Sequence, residues 1–399
     1  MSQRRRVLLL VENLPIARDH RLRKQVAALV ATGIEVTVIC RRDPQNAVIS
    51  GIHLREYSAP TDAQSKLGYI REYGWSLFMT AWQILRSLFA EGFDVVQVSS
   101  TPDIYFFVTL PLRLLGKVVV FDARDLSPEI YARRYGSTGG LVITVLKALE
   151  RASFWSANQV LAVNESVAAV AKERGHVPAA RVTVVGNGPV MNGGQFAGPQ
   201  GSARKASELT CCWVGLMGPQ DGVDLALRAV AHLIHEVHRT NTQFVFAGSG
   251  DALAMLKALA TELELDEWVT FPGWLNSDEV ALLLEKADIG LEPNLEDFVS
   301  PVKVMEYMAH ALPTVAFDLR ETRKIVGTGG LFAPPGDVVG FAERIESLIL
   351  DPITRWELGA AAQDRARSTL SWEHQERQYL ELYRTLLPDD RSDLTLEMA

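Results

Sequence analysis

Residues 300–309 combine a helix start with charged side chains that could bind a phosphorylated ligand. Ser300 is a typical N-cap residue and Pro301 fits the first helical position, so the pattern predicts N–H groups at a helix N-terminus, where anions bind. Lys303 stands three residues after the predicted cap, where its charge opposes the helix dipole unless an anion offsets it. We therefore predict that Ser300, Pro301 and Lys303 contact a diphosphate.

Glu306 follows Lys303 by three residues, within a helix whose other side chains are almost all apolar. The pattern predicts that this carboxylate is buried, and a buried carboxylate needs hydrogen-bond partners. The hydroxyl groups of a ribose would supply them. The alternative is a simple ion pair between Lys303 and Glu306.

Charged residues also follow a predicted strand at 117–121 in the first half of the chain. Asp122, Arg124, Asp125 and Glu129 come directly after it. Because ligands of open α/β sheets bind beyond the carboxyl ends of the strands, these residues could orient an acceptor and stabilise a leaving phosphate. We predict catalytic roles for Arg124 and Asp122, together with Lys303, and acceptor-side roles for Asp125 and Glu129. The alternative is a set of ion pairs within the loop.

The loop after the first predicted strand carries further polar residues that should face the same site. We predict acceptor-side roles for Asn13 and Arg21. Asp19 lies between them, and the alternative for this loop is ordinary capping of the following helix by Asp19.

Two glycine-rich loops follow predicted strands in the second half of the chain, at 215–222 and 248–250. Glycine lets a backbone approach a diphosphate closely, so we predict that Gly215, Gly218 and Gly248 line a donor site. The alternative is ordinary turns. The later glycine of a dinucleotide fingerprint is missing after Gly248, which argues against a dehydrogenase.

Short β-rich runs alternate with helical segments twice along the 399 residues, which is typical of parallel sheets covered by helices on both faces. We predict an α/β fold with two Rossmann-like, doubly wound domains facing a cleft. The acceptor domain is predicted at 1–190, a glycine-rich linker at 191–204 and the donor domain at 205–371. A final helix at 372–387 and a frayed tail at 388–399 follow. The predicted strands are 6–11, 35–40, 94–98, 117–121, 159–162 and 181–185, then 210–214, 243–247, 268–271, 288–291 and 314–317.

The bulk composition excludes several classes of protein. A net charge of −8 argues against nucleic-acid binding, because a phosphate backbone requires a basic surface. The longest apolar stretch, 104–115, is too short for the roughly 20 residues of a transmembrane helix. Three cysteines, Cys40, Cys211 and Cys212, form no disulfide framework, which favours a reducing cytoplasm.

Metal-binding patterns are weak in this sequence. The histidines at 232, 235 and 238 have i, i+3, i+6 spacing on a predicted helix, and the third rotates away from the first two. No D-x-D pair follows a predicted strand, so we predict no bound metal ion and no cofactor.

Together these residues resemble the retaining glycosyltransferases of family 4, which have the GT-B fold. The resemblance covers nearly the whole chain and is closest at 214–224 (VGLMGPQDGVD), 244–250 (FVFAGSG) and 303–318 (KVMEYMAHALPTVAFD). It implies that Glu306 binds the ribose of a nucleoside-diphosphate sugar and that the loop at Ser300 and Pro301 meets the diphosphate. It also implies a final helix that crosses back to the first domain, and retention of anomeric configuration.

The sequence departs from the family pattern at several positions. The first glutamate of the E-x7-E motif falls at Phe298, so Asp297 or Glu296 is expected to reach the donor sugar instead. The usual diphosphate-binding Arg and Lys fall at Leu216 and Asp221, and we expect Lys303 to replace part of that charge. Arg124 stands near the position where many members carry a catalytic histidine.

We therefore predict a metal-independent glycosyltransferase that uses a nucleoside-diphosphate sugar as co-substrate, in bacterial polysaccharide or glycoconjugate synthesis. The predicted acceptor is a glycan, a lipid-linked molecule or a small metabolite. The alternatives are a nucleotide-sugar epimerase with the same architecture, which needs no acceptor, and a non-catalytic subunit that binds the nucleotide sugar without turnover.

A lipid-linked acceptor would require transient contact with a membrane surface, at the inner face of the membrane. The aromatic stretch at 75–90 is the candidate for that contact. The interpretation that we favour from the sequence is a helix whose aromatic side chains pack in the core.

Overall fold

The computed structural model describes residues 5–58, 66–136, 139–191, 209–298 and 300–388. The chain divides into two compact units, Met1–Gly186 with Gln375–Ala399, and Asn187–His374. The predicted linker lies outside the described residues from 192 onward, and the predicted tail lies outside them from 389 onward.

A seven-stranded parallel sheet forms the centre of the first unit, in the order β3-β2-β1-β4-β5-β6-β7. Its strands are β1 Arg6–Leu10, β2 Glu35–Arg41, β3 Ile52–Tyr57, β4 Val95–Ser99, β5 Val118–Ala123, β6 Gln159–Ala162 and β7 Val182–Val184. Its helices are α1 His20–Ala31, α2 Lys66–Ala90, α3 Phe106–Leu114, α4 Ser127–Tyr135, α5 Leu141–Ser156 and α6 Glu165–Glu173. The central strands are almost continuous apolar runs because helices cover both faces of the sheet.

The second unit contains a six-stranded parallel sheet in the order β10-β9-β8-β11-β12-β13. Its strands are β8 Leu209–Leu216, β9 Thr242–Ser249, β10 Val269–Gly273, β11 Ile289–Glu292, β12 Thr314–Phe317 and β13 Gly330–Ala333. Its helices are α7 Val223–Ala231, α8 Leu253–Glu262, α9 Ser277–Lys286, α10 Val302–Ala309, α11 Arg320–Val326, α12 Val338–Leu350, α13 Pro352–Arg365 and the start of α14 Trp372–Leu386. The predicted fold class of two doubly wound parallel-sheet domains is confirmed.

Two edge strands were missing from the sequence prediction, β3 in the first unit and β13 in the second. An edge strand is covered on fewer sides than a central one, so its apolar pattern is weaker. Strand β3 alternates His53 and Arg55 with Leu54, and β13 contains only Gly330, Leu331, Phe332 and Ala333.

The C-terminal helix α14 belongs to the first unit from Gln375 onward. Gln375 accepts a hydrogen bond from the backbone N–H of Gly186, at 2.7 Å. Tyr379 and Tyr383 are buried, and their hydroxyls donate to Oε1 of Gln97 in β4 at 3.1 and 2.8 Å. Helix α14 is therefore hydrogen-bonded to β4, the central strand of the first sheet.

Helix α2 contradicts the prediction that its aromatic side chains pack in the core. Trp75, Phe78, Trp82 and Phe89 are exposed, while a polar row at Glu72, Ser76, Thr80, Gln83 and Ser87 is buried. The buried row has polar partners, since Glu72 pairs with Arg41 at 2.6 Å and Gln83 donates to the carbonyl of Glu56 at 3.1 Å. These bonds orient the polar side of the helix inward.

Candidate functional site

The strand order of the second unit reverses between β8 and β11, the place where ligands of doubly wound sheets bind. The glycine-rich loop after β8 lies against the loop after β11, because a Cβ at Gly222 would lie 2.0 Å from the carbonyl oxygen of Pro293. A Cβ at Gly248 would lie 1.8 Å from the carbonyl oxygen of Gly215. Gly222 thus lets the loop after β8 pack against the loop after β11, and Gly215 and Gly248 let the ends of β8 and β9 approach closely beside the switch point.

Lys303 lies on α10 with its ammonium group beside this loop cluster. Its Nζ is 3.3 Å from Oε2 of Glu292 and 3.7 Å from Oδ1 of Asp221. It also lies 4.7 Å from the centre of the Trp213 ring, a cation–π contact. Two carboxylates therefore neutralise the cation that the sequence predicted as a phosphate ligand.

Glu292, at the carboxyl end of β11, was not predicted as a site residue from the sequence. It is only 1% exposed, and neither carboxylate oxygen accepts a hydrogen bond. Burial raises the pKa of this carboxyl, and the nearby Lys303 only partly opposes the shift. Its position directly after the predicted strand 288–291 could have identified it. Asp221 occupies the position of the family's usual lysine, and its pairing with Lys303 was not predicted.

The start of α10 differs from the prediction. Pro301 has φ −77° and ψ 78°, and the N–H of Val302 donates to the carbonyl of Ser300 at 2.8 Å, which is an inverse γ-turn. The helix begins at Val302, and in this described segment it has no side-chain cap. The predicted N-cap role of Ser300 is therefore wrong, because the γ-turn moves the helix start beyond Pro301.

The prediction that Glu306 is buried is also wrong. Helix α10 buries Val304, Met305, Tyr307 and Met308, whereas Glu306 is exposed. The Tyr307 side chain fixes this rotation, since its hydroxyl accepts a hydrogen bond from Val214 N at 3.0 Å. Glu306 thus lies on the solvent side of a well-anchored helix, one turn beyond Lys303.

Asp297 is exposed in the loop between β11 and α10. Its Oδ1 accepts a hydrogen bond from the N–H of Arg320 at 2.9 Å, at the first residue of α11. In this structure Asp297 therefore stabilises the start of α11. Gly218 also has a structural partner, because its N–H donates to Oδ2 of Asp221 at 3.0 Å.

In the first unit, Asp122 is fully buried at the end of β5 and its carboxylate is saturated. Arg21 donates to both oxygens at 3.1 and 2.8 Å, and Arg124 donates from Nε at 3.0 Å. Gln25 adds a bond at 3.2 Å. Burial by itself would raise the pKa of Asp122, but Arg21 and Arg124 outweigh it and hold the pKa well below its usual range.

This geometry corrects the predicted catalytic role of Asp122. Asp122 does not reach solvent, so it positions Arg21 and Arg124 and is not a group that contacts substrate. Arg21 is itself buried, and it also donates to the carbonyl of Val185 at 2.7 Å. Its acceptor-side role stays a prediction.

Arg124 is the least enclosed cation of this cluster. Its Nη1 donates to Asp19, and Asp19 also caps α1 by accepting from the N–H of Leu22 at 2.8 Å. The predicted capping by Asp19 is confirmed. The remaining nitrogen, Nη2, has no hydrogen-bond partner.

The other predicted acceptor-side residues of the first unit differ in exposure and pairing. Asn13 and Asp125 are exposed. Glu129 is paired through both oxygens with Arg174, at 2.6 and 3.0 Å, and Arg174 also binds Glu150. Arg174 follows α6 and lies outside the loop after β5, so this is not an ion pair within that loop, and the acceptor-side role of Glu129 stays a prediction.

Buried glutamines extend the Asp122 cluster, and no local sequence pattern predicted them. Gln25 donates to Asp122, and Gln97 donates to Oε1 of Gln25 at 3.0 Å. Since Tyr379 and Tyr383 donate to Gln97, a continuous polar network links Arg124 to the C-terminal helix.

Comparison with known proteins shows which family this chain belongs to. A family model described as "Glycosyl transferases group 1" matches residues 208–351, and one described as "Glycosyl transferase 4-like domain" matches residues 19–188. The chain is a group 1 glycosyltransferase. The resemblance to family 4 predicted from the sequence is confirmed.

Known relatives of this glycosyltransferase agree with that assignment. Alpha-D-kanosaminyltransferase of Streptomyces kanamyceticus is 25% identical over 285 residues, which cover 67% of this chain and 70% of the relative. Sucrose-phosphate synthase of Thermosynechococcus elongatus superposes with a TM-score of 0.76 at 17% identity, covering 96% of this chain and 99% of that chain.

HepE of Anabaena, solved in complex with UDP and glucose, superposes with a TM-score of 0.73 at 16% identity, covering 96% of this chain and 100% of that chain. The structural likenesses confirm the predicted GT-B fold of this glycosyltransferase.

The described residues contain neither a cluster of metal ligands nor a membrane-spanning helix. Within the described ranges, no three His, Cys, Asp or Glu side chains are grouped so that they could hold a metal ion. Among the same residues, no helix combines the length and the apolar character needed to cross a membrane.

Proposed function

We propose that this glycosyltransferase transfers a sugar from a nucleoside-diphosphate sugar to an acceptor hydroxyl, with retention of configuration and without a metal ion. The observation that carries the proposal is the presentation of Lys303 and Glu306 by α10, beside the glycine loops at the switch point of the second unit. The structure of HepE with UDP and glucose supports a nucleoside-diphosphate sugar as donor.

The diphosphate would bind at Lys303 by exchange of partners. In the structure, Glu292 and Asp221 hold the ammonium group, at 3.3 and 3.7 Å. A diphosphate carries more negative charge than either carboxylate, so it would compete with them for the ammonium group. It could approach along the backbone of Gly215, Gly218 and Gly248. The turn at Ser300 and Pro301 would add backbone N–H groups from the start of α10.

The ribose would bind at Glu306. Its carboxylate is exposed on a helix anchored by Tyr307, where it would accept hydrogen bonds from two ribose hydroxyls. Asp297, on the loop that precedes α10, is the proposed ligand of the donor sugar.

In the proposed reaction, the acceptor oxygen forms a bond to the anomeric carbon while the bond to the diphosphate oxygen breaks. The acceptor proton passes to the leaving phosphate oxygen, on the same face of the sugar. Negative charge develops on the diphosphate, and Lys303 would stabilise it there. Arg124, with one nitrogen free of hydrogen bonds, is the proposed second cation, and Asn13 and Asp125 are proposed acceptor contacts.

We propose a glycan, a lipid-linked molecule or a small metabolite as acceptor, and bacterial polysaccharide or glycoconjugate synthesis as the setting. The three cysteines are free and buried, which supports a reducing compartment such as the cytoplasm.

A thermal-shift panel of UDP, GDP, ADP and TDP sugars, with and without EDTA, tests the donor class. A ligand that binds only the folded protein raises Tm by mass action, so the true donor should stand out and EDTA should leave the shift unchanged. Product analysis then separates the functions. Transfer to an added acceptor supports the proposal, conversion of the nucleotide sugar alone indicates an epimerase, and binding without turnover indicates a non-catalytic subunit.

A further inference from the structure

Three helices of the first unit cover the same face of its sheet. Helix α2 connects β3 to β4, α3 connects β4 to β5, and α5 precedes β6, so all three crossovers run in the same direction across the sheet. Because such crossovers are right-handed, the three helices lie on one side. Their inner residues share one hydrophobic cluster, which includes Ile84, Leu112 and Phe154.

The outer side of α2 is apolar and aromatic. Phe78 is 62% exposed, Trp82 51% and Phe89 81%, and Leu85 is exposed on the same side. A surface helix ordinarily turns such residues toward the core. Here the core side carries the polar row that begins at Glu72 together with Ile84, so the aromatic side remains uncovered.

Helices α3 and α5 continue this apolar surface. Phe107, Leu114 and Leu115 are exposed on and just after α3, and Leu141 and Trp155 are exposed on α5. The two helices are joined, since Thr109 and Ser156 are hydrogen-bonded at 3.2 Å. Arg113 also donates to the carbonyl of Trp155 at 2.9 Å. We call the outer side of α2, α3 and α5 the aromatic face.

Charge on the aromatic face has one sign. Among the side chains that the structure describes on these helices, the exposed charged ones are Arg71, Arg86, Lys147 and Arg151. Arg113, which is half-buried, lies at the end of α3.

The acidic side chains described there are buried and paired. Glu72 is paired with Arg41 and Glu150 with Arg174. This basic face belongs to a chain whose net charge is −8.

We propose that the aromatic face docks on the surface of an anionic phospholipid bilayer. Exposed Trp, Phe and Leu side chains would enter the headgroup region, and the arginines and lysines around them would bind lipid phosphates. A second copy of the chain fits less well, because two-fold pairing of this face would bring like charges together.

The proposal goes beyond glycosyl transfer and does not depend on the donor site. It implies that the enzyme works at a membrane surface on a lipid-linked acceptor, while the residues proposed to bind the donor belong to the second unit. Membrane docking and donor binding can therefore be tested separately.

The experiment is flotation of the full chain with vesicles of phosphatidylglycerol and phosphatidylcholine, compared with phosphatidylcholine alone. The variant F78S/W82S/F89S removes aromatic side chains that are already exposed, so its fold should persist. The matched control is W274S/I353S in the second unit, where the side chains are 69% and 67% exposed. The charge variant is Arg86→Ala.

The proposal expects binding to anionic vesicles, loss of that binding in F78S/W82S/F89S, and no change in the control. Arg86→Ala should weaken partitioning by about fivefold, the effect of roughly one basic residue near an anionic surface. All variants should keep the Tm shift with the nucleotide sugar.

Two results would overturn the docking proposal. One is wild-type protein that does not float with anionic vesicles. The other is a concentration-dependent dimer in sedimentation velocity that F78S/W82S/F89S abolishes, since a second copy would then cover the face. A missing Tm shift with intact flotation would instead refute the donor proposal alone.

Discussion

Each unit carries a buried carboxylate at the end of a central strand, and the two differ in how far their bonds are satisfied. Asp122, after β5, accepts hydrogen bonds from Arg21, Arg124 and Gln25. Glu292, at the end of β11, has a single ammonium group at 3.3 Å and accepts no hydrogen bond. The same residue chemistry therefore gives a saturated cluster in one unit and an unsaturated one in the other.

The pKa shifts follow from this difference. Burial raises the pKa of a carboxyl in both places, but the arginines reverse the shift at Asp122, whereas Lys303 does not at Glu292. When one partner of a fully hydrogen-bonded buried cluster is removed, the others stay buried without a partner and the folded state loses stability. An unsaturated one can exchange partners with a ligand, so we interpret Asp122 as structural and Glu292 as part of a site that changes on donor binding.

The largest expected effect is on stability, from Asp122→Asn. The change leaves the buried Arg21 without its carboxylate and Arg124 with Asp19 as its remaining anion, and should cost about 3–5 kcal/mol of unfolding free energy. Because the pKa of Asp122 is lowered, its contribution is complete above about pH 4 and is lost as pH falls further. Urea unfolding followed by fluorescence measures this. Asp125→Asn, on the exposed neighbouring loop, is the control and should stay within about 0.5 kcal/mol.

The second effect is on turnover, from Lys303→Ala. Charge on the leaving diphosphate is largest in the transition state, so kcat should fall by about 10²–10³ while donor affinity changes less. Steady-state kinetics of the purified enzyme separate the two quantities. Lys257→Ala, on exposed α8, is the matched control. A change in KM alone would contradict the assignment.

A smaller effect is expected for Glu306→Ala, on donor binding. Loss of a charged partner of the ribose hydroxyls should weaken nucleotide-sugar affinity by about 1–3 kcal/mol. Calorimetric titration measures the affinity, with Glu262→Ala on α8 as control. Unchanged affinity in a normally folded variant would remove the ribose role from Glu306.

The smallest effect concerns the pH dependence of donor binding. As pH falls through the raised pKa of Glu292, its carboxylate becomes neutral and releases Lys303, while Asp221 remains the other anion nearby. Donor affinity should therefore increase as pH falls, by no more than about tenfold per pH unit for one proton. In Glu292→Gln this dependence should disappear. An unchanged profile in that variant would show that Glu292 does not control the site.

The sequence predicted the units better than the contacts within them. Alternation of apolar runs and helices was sufficient for the two parallel sheets, because each central strand is buried on both faces and shows this locally. The edge strands β3 and β13 lacked that signal. The site residues on α10 were identified by type and spacing, but the rotation that exposes Glu306 depends on Tyr307, whose hydroxyl bonds Val214 in another element.

By itself, the sequence determined the fold class, the family and the segments that carry charged residues beyond strand ends, since these properties depend on local sequence patterns. Only the tertiary structure decided which charges are saturated. Arg21 meets Asp122 across 101 positions, and Tyr383 meets Gln97 across 286. It also decided that α2 turns its aromatic side outward. Hydrogen bonding and burial depend on neighbours brought together by folding, and no local pattern encodes those neighbours.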